Sequence, residues 1–241
     1  MYASAWLDRC RYQKDGEDGM NIFSMIGPVM IGPSSSHTAG ACRLGRVVNK
    51  IADGVPIVEV TIQLSGSFAR TYRGHGTDRA LLAGIMGYSS SDEAIRSADK
   101  IAKKRGLVYS FVLEDIPNAH PNTAKISYRL ANGKTGVVIG ASIGGGNIRV
   151  DSIDGLRVSF SGESTTLMVL HRDQPGVIAR VTNLMYWNYQ DINIGNFQLS
   201  RRERGGQALM TMELDQVPPR TIISDLRQLE GVDNALLIRS V

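Results

Sequence analysis

Cysteine is scarce in this sequence: Cys10 and Cys42 are the only two among 241 residues. Two thiols cannot form the disulfide framework that stabilises a small secreted domain. They also cannot supply the three or four thiolates that an iron–sulfur cluster or a structural zinc site requires. The cysteine content therefore excludes a disulfide-rich protein, and it excludes a chain that holds such a metal centre with its own cysteines.

Long apolar runs and an excess of one charge are also missing. No apolar run approaches the roughly 20 residues of a membrane-spanning helix, and the first residues lack the apolar core of a signal peptide. Positive and negative residues are interleaved and the formal net charge is +4. The densest basic run, Arg201-Arg202 with Arg204, adjoins two glycines and is typical of a solvated turn. We therefore expect a cytoplasmic protein that binds neither membrane nor nucleic acid.

The composition is otherwise that of an ordinary globular protein, with 42% hydrophobic and 21% charged residues. A chain of this length forms one or two domains. Residues 1–19 are charged and turn-like, so we expect a loosely ordered extension and consider Met20 a candidate start of the natural protein. The patterns that follow predict a first domain over 20–160, a linker over 161–164 and a second domain over 165–241.

Helices and strands are both predicted in the first domain, which makes its fold class α/β (α+β). Ile57–Leu64 alternates as a half-buried strand does. Ser91–Arg105 has the composition of a helix, with Ser91 as its cap and Gly106 after its end. The other predicted features are helices over Ala39–Ala52 and up to Met86, strands over Val108–Leu113, Thr123–Leu130, Val137–Ile139 and within Ile148–Phe160, a hairpin turn at Asn132-Gly133 and a loop over 142–147.

The second domain shows the order strand, helix, strand, strand, helix, strand. Its two helices present apolar faces that begin at Val177 and Ile222. This βαββαβ order is ferredoxin-like, with helices on one face of an antiparallel sheet. The strands are predicted at Thr166–His171, Ile192–Leu199, Ala208–Leu214 and Ala235–Ile238.

Four polar segments of the first domain contain the residue types from which binding sites are built. They are Ser34–Thr38, Gly74–Asp78, His120–Thr123 and Ser142–Asn147, and three of the four histidines lie in them. Hydroxyls and an imidazole before a helix start can hold a carboxylate or a phosphate, although a serine-rich cap with an exposed histidine is the alternative. The candidate binding residues are Ser34, Ser35, Ser36, Thr38, His75, Thr77, Asp78, His120, Asn122, Thr123, Ser142, Gly144 and Gly145.

Two familiar motifs are excluded by spacing. Ser36-His37 is not a nucleophile–base pair, because such pairs are usually far apart in sequence and no nucleophile-elbow motif is present. Gly144-Gly145-Gly146 lacks the glycine spacing of a dinucleotide-binding turn.

The second domain resembles an ACT domain over its whole length, through the residues of His171–Val177 and Asp191–Ile194. ACT domains bind amino acids where the first strand meets the first helix, commonly across a subunit interface. Serine-sensing ACT domains of phosphoglycerate dehydrogenases use a His, an Asn two residues later and an Asn at the second strand. His171, Asp173 and Asn193 match these three, with Asp in the middle place.

The ACT resemblance implies a small amino acid or a monovalent cation as ligand and self-association through this domain. The helix start offers free amides that attract a carboxylate. The alternative is that the Asp-x-Pro-Gly sequence is only a capped turn. The ligand residues that the resemblance implies are His171, Asp173, Gly176, Val177 and Asn193.

The four polar segments, preceded by Ile26–Pro33, resemble the beta chain of the bacterial iron–sulfur L-serine dehydratase from about Met20 onward. The resemblance implies an enzyme that converts L-serine to pyruvate and ammonia together with an alpha subunit. It also implies that a [4Fe–4S] cluster acts as the Lewis acid and is held by cysteines of that alpha subunit, with no metal in this chain. This agrees with the shortage of cysteine noted above.

His37 is the residue that we expect to transfer a proton or orient the substrate, because an imidazole titrates near neutral pH. The first domain is also similar to the allosteric substrate-binding domain of some phosphoglycerate dehydrogenases. A non-catalytic, amino-acid-binding regulatory subunit is therefore the alternative function.

Overall fold

The computed structural model describes residues 30–241. The extension predicted at 1–19 and the candidate start at Met20 lie outside this range. Within it, none of the helices combines the length and the apolar character needed to cross a membrane.

The N-terminal unit begins with a π-helical turn, Ser35–Gly40, that continues directly into the first α-helix. A 3₁₀ turn, Glu93–Ser97, precedes the fourth helix. The helices are α1 (Ala41–Ile51), α2 (Gly66–Thr71), α3 (Thr77–Ile85) and α4 (Ala98–Lys104). The strands are β1 (Ile57–Leu64), β2 (Val108–Leu113), β3 (Thr123–Leu130), β4 (Thr135–Gly144), β5 (Asn147–Ile153) and β6 (Leu156–Phe160).

These six strands form one sheet in the order β2-β1-β3-β4-β5-β6. Strands β1 and β2 are parallel, and the remaining neighbours are antiparallel. The inner residues of β1 are buried as its alternation predicts, with Val60, Ile62 and Leu64 at most 1% exposed. They pack in one core with the apolar faces of α1 and α3.

Helices α1 and α3 touch through their backbones. A Cβ atom at Gly84 would lie 2.0 Å from the carbonyl oxygen of Cys42, and one at Gly45 would lie 2.4 Å from that of Leu81. Only glycine permits this approach. The predicted polar segments Ser34–Thr38 and Gly74–Asp78 lie at the N-terminal sides of these two paired helices.

The C-terminal unit has the predicted βαββαβ order. Its strands form an antiparallel sheet in the order β10-β7-β9-β8. One face, including Leu167, Val169 and Met212, packs against the two helices in a second core. The elements are β7 (Thr165–Arg172), α5 (Val177–Asn188), β8 (Ile194–Arg201), β9 (Gln207–Leu214), α6 (Thr221–Arg227) and β10 (Val232–Ile238).

The two units share apolar and polar contacts. Met168, Leu209 and Ile238 belong to the core of the N-terminal unit, although they lie on strands of the C-terminal sheet. Arg43 on α1 donates to the backbone oxygen of Val241 at 2.8 Å and to that of Gly146 at 3.0 Å. Val241 is therefore held against α1, the helix that follows the polar segment Ser34–Thr38, which we call the serine segment.

Most predicted elements are confirmed, and three predictions are wrong. Asp92, not Ser91, caps the helical segment by accepting the Ala94 amide, and the helix breaks at Ser97. The predicted loop over 142–147 is a tight turn between β4 and β5. The helix predicted to begin at Ala39 is preceded by a helical turn that already starts at Ser35, with the side chain of Ser34 as its cap. Helix α2 was not predicted.

Candidate functional site

The serine segment forms the first turn of the helical region. Ser34 lies just outside it in extended conformation, and its Oγ accepts the backbone N–H of His37 at 3.2 Å. Its carbonyl oxygen accepts the amide of Thr38 at 2.8 Å. Ser35 and Ser36 are half-buried within the turn. Serine is a preferred residue at this position because its oxygen satisfies an otherwise free amide.

His37 lies between two hydroxyl groups and two rings. Its Nε2 is 3.1 Å from Ser67 Oγ, and its Nδ1 is 3.4 Å from Ser34 Oγ. The rings of Phe68 and His75 meet it edge-on, with centroids 5.3 and 4.7 Å away. We call these five residues the histidine cluster.

The histidine cluster favours a neutral imidazole at His37. Partial burial and, secondarily, the neighbouring His75 lower the pKa of His37 below its usual value. A neutral imidazole has one acceptor and one donor nitrogen, and a hydroxyl can serve either. His37 can therefore accept or pass on a proton near neutral pH without first losing a charge.

The segment before α3 is attached to the serine segment. Thr38 Oγ1 donates to the carbonyl oxygen of His75 at 3.1 Å. Gly76 then adopts a left-handed conformation, with φ of 69°, and lets the chain turn into α3. Thr77 is fully buried at the start of that helix, and burial raises the pKa of Asp78, the next residue.

The remaining two predicted segments pair with each other. Asn122 donates through Nδ2 to the carbonyl oxygen of Ser142 at 3.4 Å, and its own carbonyl oxygen accepts the Ser142 amide at 3.0 Å. Its backbone N–H donates to Nδ1 of His120 at 3.1 Å. Gly144 and Gly145 have positive φ values of 114° and 62° and form the turn itself.

The two pairs of segments are linked through two residues outside them, Gly40 and Phe68. Gly40 lies so close to Ser142 that a Cβ there would be 2.1 Å from Ser142 Oγ. Phe68 donates its amide to the carbonyl oxygen of Pro121 at 3.2 Å. Through these contacts, the four predicted segments are linked to one another.

Buried polar atoms without partners concentrate in the predicted site residues. In the part of the chain that the structure describes, six buried side-chain atoms have no hydrogen-bond partner. Four belong to the candidate binding residues: His75 Nδ1, Thr77 Oγ1, Asn122 Oδ1 and Thr123 Oγ1. A fifth, His171 Nε2, belongs to the predicted ACT ligand residues. Leaving a buried polar atom unpaired costs free energy, which makes these residues candidates for contact with a ligand, a water molecule or a partner.

A cavity of about 180 Å³ adjoins the histidine cluster, and Thr38, His75, Arg79 and Arg96 contribute to its walls. The two guanidinium groups give this cavity a positive wall. A larger cavity of about 310 Å³ lies between the two sheets, away from the four segments. Of the residues with unpaired polar atoms, His75 lines the small cavity, and none lines the larger one.

Ser67 and Phe68 are site residues that the sequence prediction missed. Both lie on the short helix α2, which begins directly after β1. A signal was present, since Ser65-Gly66-Ser67 is another polar segment with glycine at the end of a predicted strand.

The side chains of the described residues do not fit an iron–sulfur cluster. The thiol of Cys42 is buried, donates to the carbonyl oxygen of Tyr88, and has its pKa raised to about 12 by burial. A cluster ligand must be a thiolate. Across residues 30–241, no group of three or more His, Cys, Asp or Glu side chains is arranged to hold a metal ion.

His171 and Asp173 lie together at one end of the C-terminal sheet. His171 is 1% exposed, and its Nδ1 is 2.7 Å from the carbonyl oxygen of Arg172. The amide of Gly205 and the guanidinium of Arg201 hold the pKa of Asp173 below its usual value. The Asp173 carboxylate therefore already accepts hydrogen bonds from two groups of its own chain.

The remaining ACT ligand residues divide between the two ends of the sheet. Gly176, with φ of 87°, and Val177 begin α5 close to Asp173. Asn193 instead precedes Ile194, which pairs with Leu214, the partner of Thr165 at the start of β7. Asn193 donates to Asp215 there, at 2.6 Å. Within one chain, Asn193 therefore lies at the opposite end of the sheet from His171 and Asp173.

The fold and the site define a class of protein. It is a two-unit α+β protein in which a histidine- and hydroxyl-lined site is joined to an ACT-like βαββαβ unit. Residues 21–110 match the family model described as the serine dehydratase beta chain. The chain belongs to this family.

Two named relatives are similar over nearly the whole chain. The probable L-serine dehydratase beta chain of Bacillus subtilis is 41% identical over 212 residues, which cover 88% of this chain and 94% of that protein. The L-serine dehydratase beta chain of Peptoniphilus asaccharolyticus is 40% identical over 216 residues, which cover 89% and 96%. D-3-phosphoglycerate dehydrogenase of Methanocaldococcus jannaschii is 28% identical over 231 residues, which cover 92% of this chain but 42% of that enzyme.

Proposed function

We propose that this chain is the beta subunit of an L-serine dehydratase that converts L-serine to pyruvate and ammonia together with an alpha subunit. The observation that supports this most is the set of unpaired buried polar atoms in two of the four segments, Gly74–Asp78 and His120–Thr123. The family membership is consistent with it. A [4Fe–4S] cluster held by the alpha subunit would supply the Lewis acid for loss of the hydroxyl, since this chain lacks the thiolates.

The unpaired atoms of the site complement the groups of serine. The hydroxyls of Thr77 and Thr123 can donate to a carboxylate, and Asn122 Oδ1 can accept from an ammonium group. Arg79 in the adjoining cavity adds a positive charge that favours the carboxylate. These residues would bind and orient the substrate.

The histidine cluster would handle the proton that leaves the substrate. His37 remains our candidate for this role, and His75, whose Nδ1 has no partner, lies against it. A neutral imidazole in a partly buried site is suited to general acid–base work near neutral pH.

The test is anaerobic co-expression with a candidate alpha subunit, followed by a pyruvate assay on L-serine. We expect the isolated chain to be inactive and the complex to be active and brown. In the complex, His37→Ala should lower kcat by roughly 10²–10⁴-fold if His37 transfers a proton. If His37 only orients the substrate, the change should appear mainly in KM.

A regulatory subunit without catalytic residues is the second candidate function. The similarity to a phosphoglycerate dehydrogenase across both units favours it. It predicts a colourless partner or none, and it predicts that His37→Ala leaves turnover unchanged. A complex with wild-type kinetics after this substitution would favour the regulatory role.

We further propose that the ACT-like unit binds a small amino acid or a monovalent cation between two copies of the chain. Support comes from the positions of Asp173 and Asn193 at opposite ends of one sheet, because only a second copy can bring such ends together. Strand β8 pairs with β9 alone among the described strands, which leaves an edge for association.

We also propose a cytoplasmic location, which suits the free thiol of Cys42.

A further inference from the structure

Ser67 occupies a position in the histidine cluster that neither the sequence motifs nor the family comparison assigns. Its Oγ lies 3.1 Å from Nε2 of His37, thirty residues earlier in the chain. This is the shorter of the two contacts between a hydroxyl and the imidazole, since Ser34 Oγ is 3.4 Å from Nδ1. Ser67 is therefore the closer partner of the ring.

The two hydroxyls differ in what they can offer the imidazole. Ser34 Oγ already accepts the backbone N–H of His37, so one of its two lone pairs is used in capping the helical turn. Ser67 Oγ has no such commitment to the turn, and it can either donate to Nε2 or accept from it. If the hydroxyl donates to Nε2 it favours the tautomer protonated on Nδ1, and if it accepts it favours the tautomer protonated on Nε2, so the role that Ser67 takes bears on both the orientation and the tautomer of the ring.

We propose that Ser67 is a positioning residue of the site, whose hydroxyl fixes the orientation and the tautomer of the His37 imidazole. The ring is also bounded by Phe68 and His75, which limit its tilt but cannot select the protonated nitrogen. The catalytic consequence rests on the function proposed above, whereas the effect on the imidazole does not.

Helix α2 does not depend on the Ser67 hydroxyl for its place in the fold. Phe68 is fully buried, and its amide donates to Pro121. The amide of Gly66 donates to the Asp115 carboxylate at 2.7 Å. Thr71 Oγ1 donates to the backbone carbonyl of Ser67 at 2.8 Å, a contact that does not involve the Ser67 hydroxyl. Removing that hydroxyl should therefore leave α2 in place.

The experiment is imidazole ¹⁵N NMR on the full chain, which needs neither a partner nor activity. Wild-type His37 should show one dominant tautomer. Ser67→Ala should shift its two nitrogens toward a mixture of tautomers, and Ser67→Thr, which keeps the hydroxyl, should restore them. Thr71→Val is the matched control, since it removes a hydroxyl from the same helix without touching His37. Unchanged His37 signals in a folded Ser67→Ala chain would overturn the proposal.

Kinetics of the assembled complex supply the second measurement. Loss of positioning should lower kcat by roughly 10–100-fold with little change in KM, because a small misplacement of a catalytic group slows the chemical step strongly. Ser67→Thr, which keeps the hydroxyl, should have a kcat close to that of the wild type. Wild-type kcat in Ser67→Ala would overturn the catalytic part of the proposal. A wild-type complex without dehydratase activity would instead contradict the proposed function, and the NMR result would still decide the role of Ser67.

Discussion

Gly40 lies directly against Ser142: a Cβ at Gly40 would be 2.1 Å from the Ser142 Oγ and 2.7 Å from its Cβ. This approach joins the end of the π-helical turn to strand β4 and brings together segments about a hundred residues apart in the chain. The site therefore depends on a residue that has no side chain.

Replacing Gly40 by alanine should separate these two segments. The inserted methyl group would overlap Ser142, and such overpacking costs about 1–3 kcal/mol in unfolding free energy. Urea unfolding of Gly40→Ala measures the loss. Gly74→Ala is the matched control, because a Cβ at Gly74 meets nothing closer than 3.7 Å. Equal stabilities of the two variants would contradict the role of the contact.

Arg43 should contribute to stability by joining the two units. Arg43→Ala removes its hydrogen bonds to the backbone oxygens of Gly146 and Val241, and we expect a loss of about 1–3 kcal/mol. Arg96→Ala is the control, because Arg96 pairs with Glu93 on the surface with 70% of its side chain exposed. Thermal unfolding distinguishes the two, and an Arg43→Ala transition as high as that of the control would refute this prediction.

Cys42 should resist thiol reagents in the folded protein. Burial raises the pKa of its thiol to about 12, so almost none is thiolate near pH 8. Native labelling followed by peptide mass spectrometry should leave Cys42 unmodified, and labelling in urea should modify it fully. Native reaction as fast as that of a free thiol would show that Tyr88 and the surrounding helices do not shield it.

The pH dependence of stability should reflect His37. Burial and His75 hold the pKa of His37 below its unfolded value, so the unfolded chain binds the proton first as pH falls. The contribution of His37 is present above the unfolded pKa of about 6.5 and is lost below it. Urea titrations at about pH 7.5 and about pH 5.5 should show a smaller decrease for His37→Asn than for the wild type. Equal decreases in unfolding free energy for the two proteins would mean that the pKa of His37 is not lowered in the folded state.

Mixing two variants should test whether the ACT-like site lies between copies. Asp173→Ala and Asn193→Ala should each abolish binding of L-serine or potassium, measured by calorimetry. If each site takes one residue from each copy, a one-to-one mixture should recover about a quarter of the sites by random pairing across a two-fold interface. No recovery in a mixture that does form mixed dimers would exclude the shared site.

Local patterns predicted much of the fold because they act over short distances. The alternation of Ile57–Leu64 gave β1, and Asn132-Gly133 gave the hairpin, where Gly133 has a φ of 84°. The break at Ser97 was not predictable in this way, since the charges at both ends of Ser91–Arg105 favour one continuous helix. The start of the helical turn at Ser35 was equally hidden, because several serines in a row can each cap a helix.

The sequence by itself determined the two types of unit, the polar segments and the absence of cluster-binding thiolates, because propensity, periodicity and composition are properties of neighbouring residues. Only the tertiary structure decided that Ser67 meets His37, that Gly40 admits Ser142, and that Asp173 and Asn193 lie at opposite ends of a sheet. Those relationships depend on how the helices close on the strands and on strand order, which no local pattern specifies.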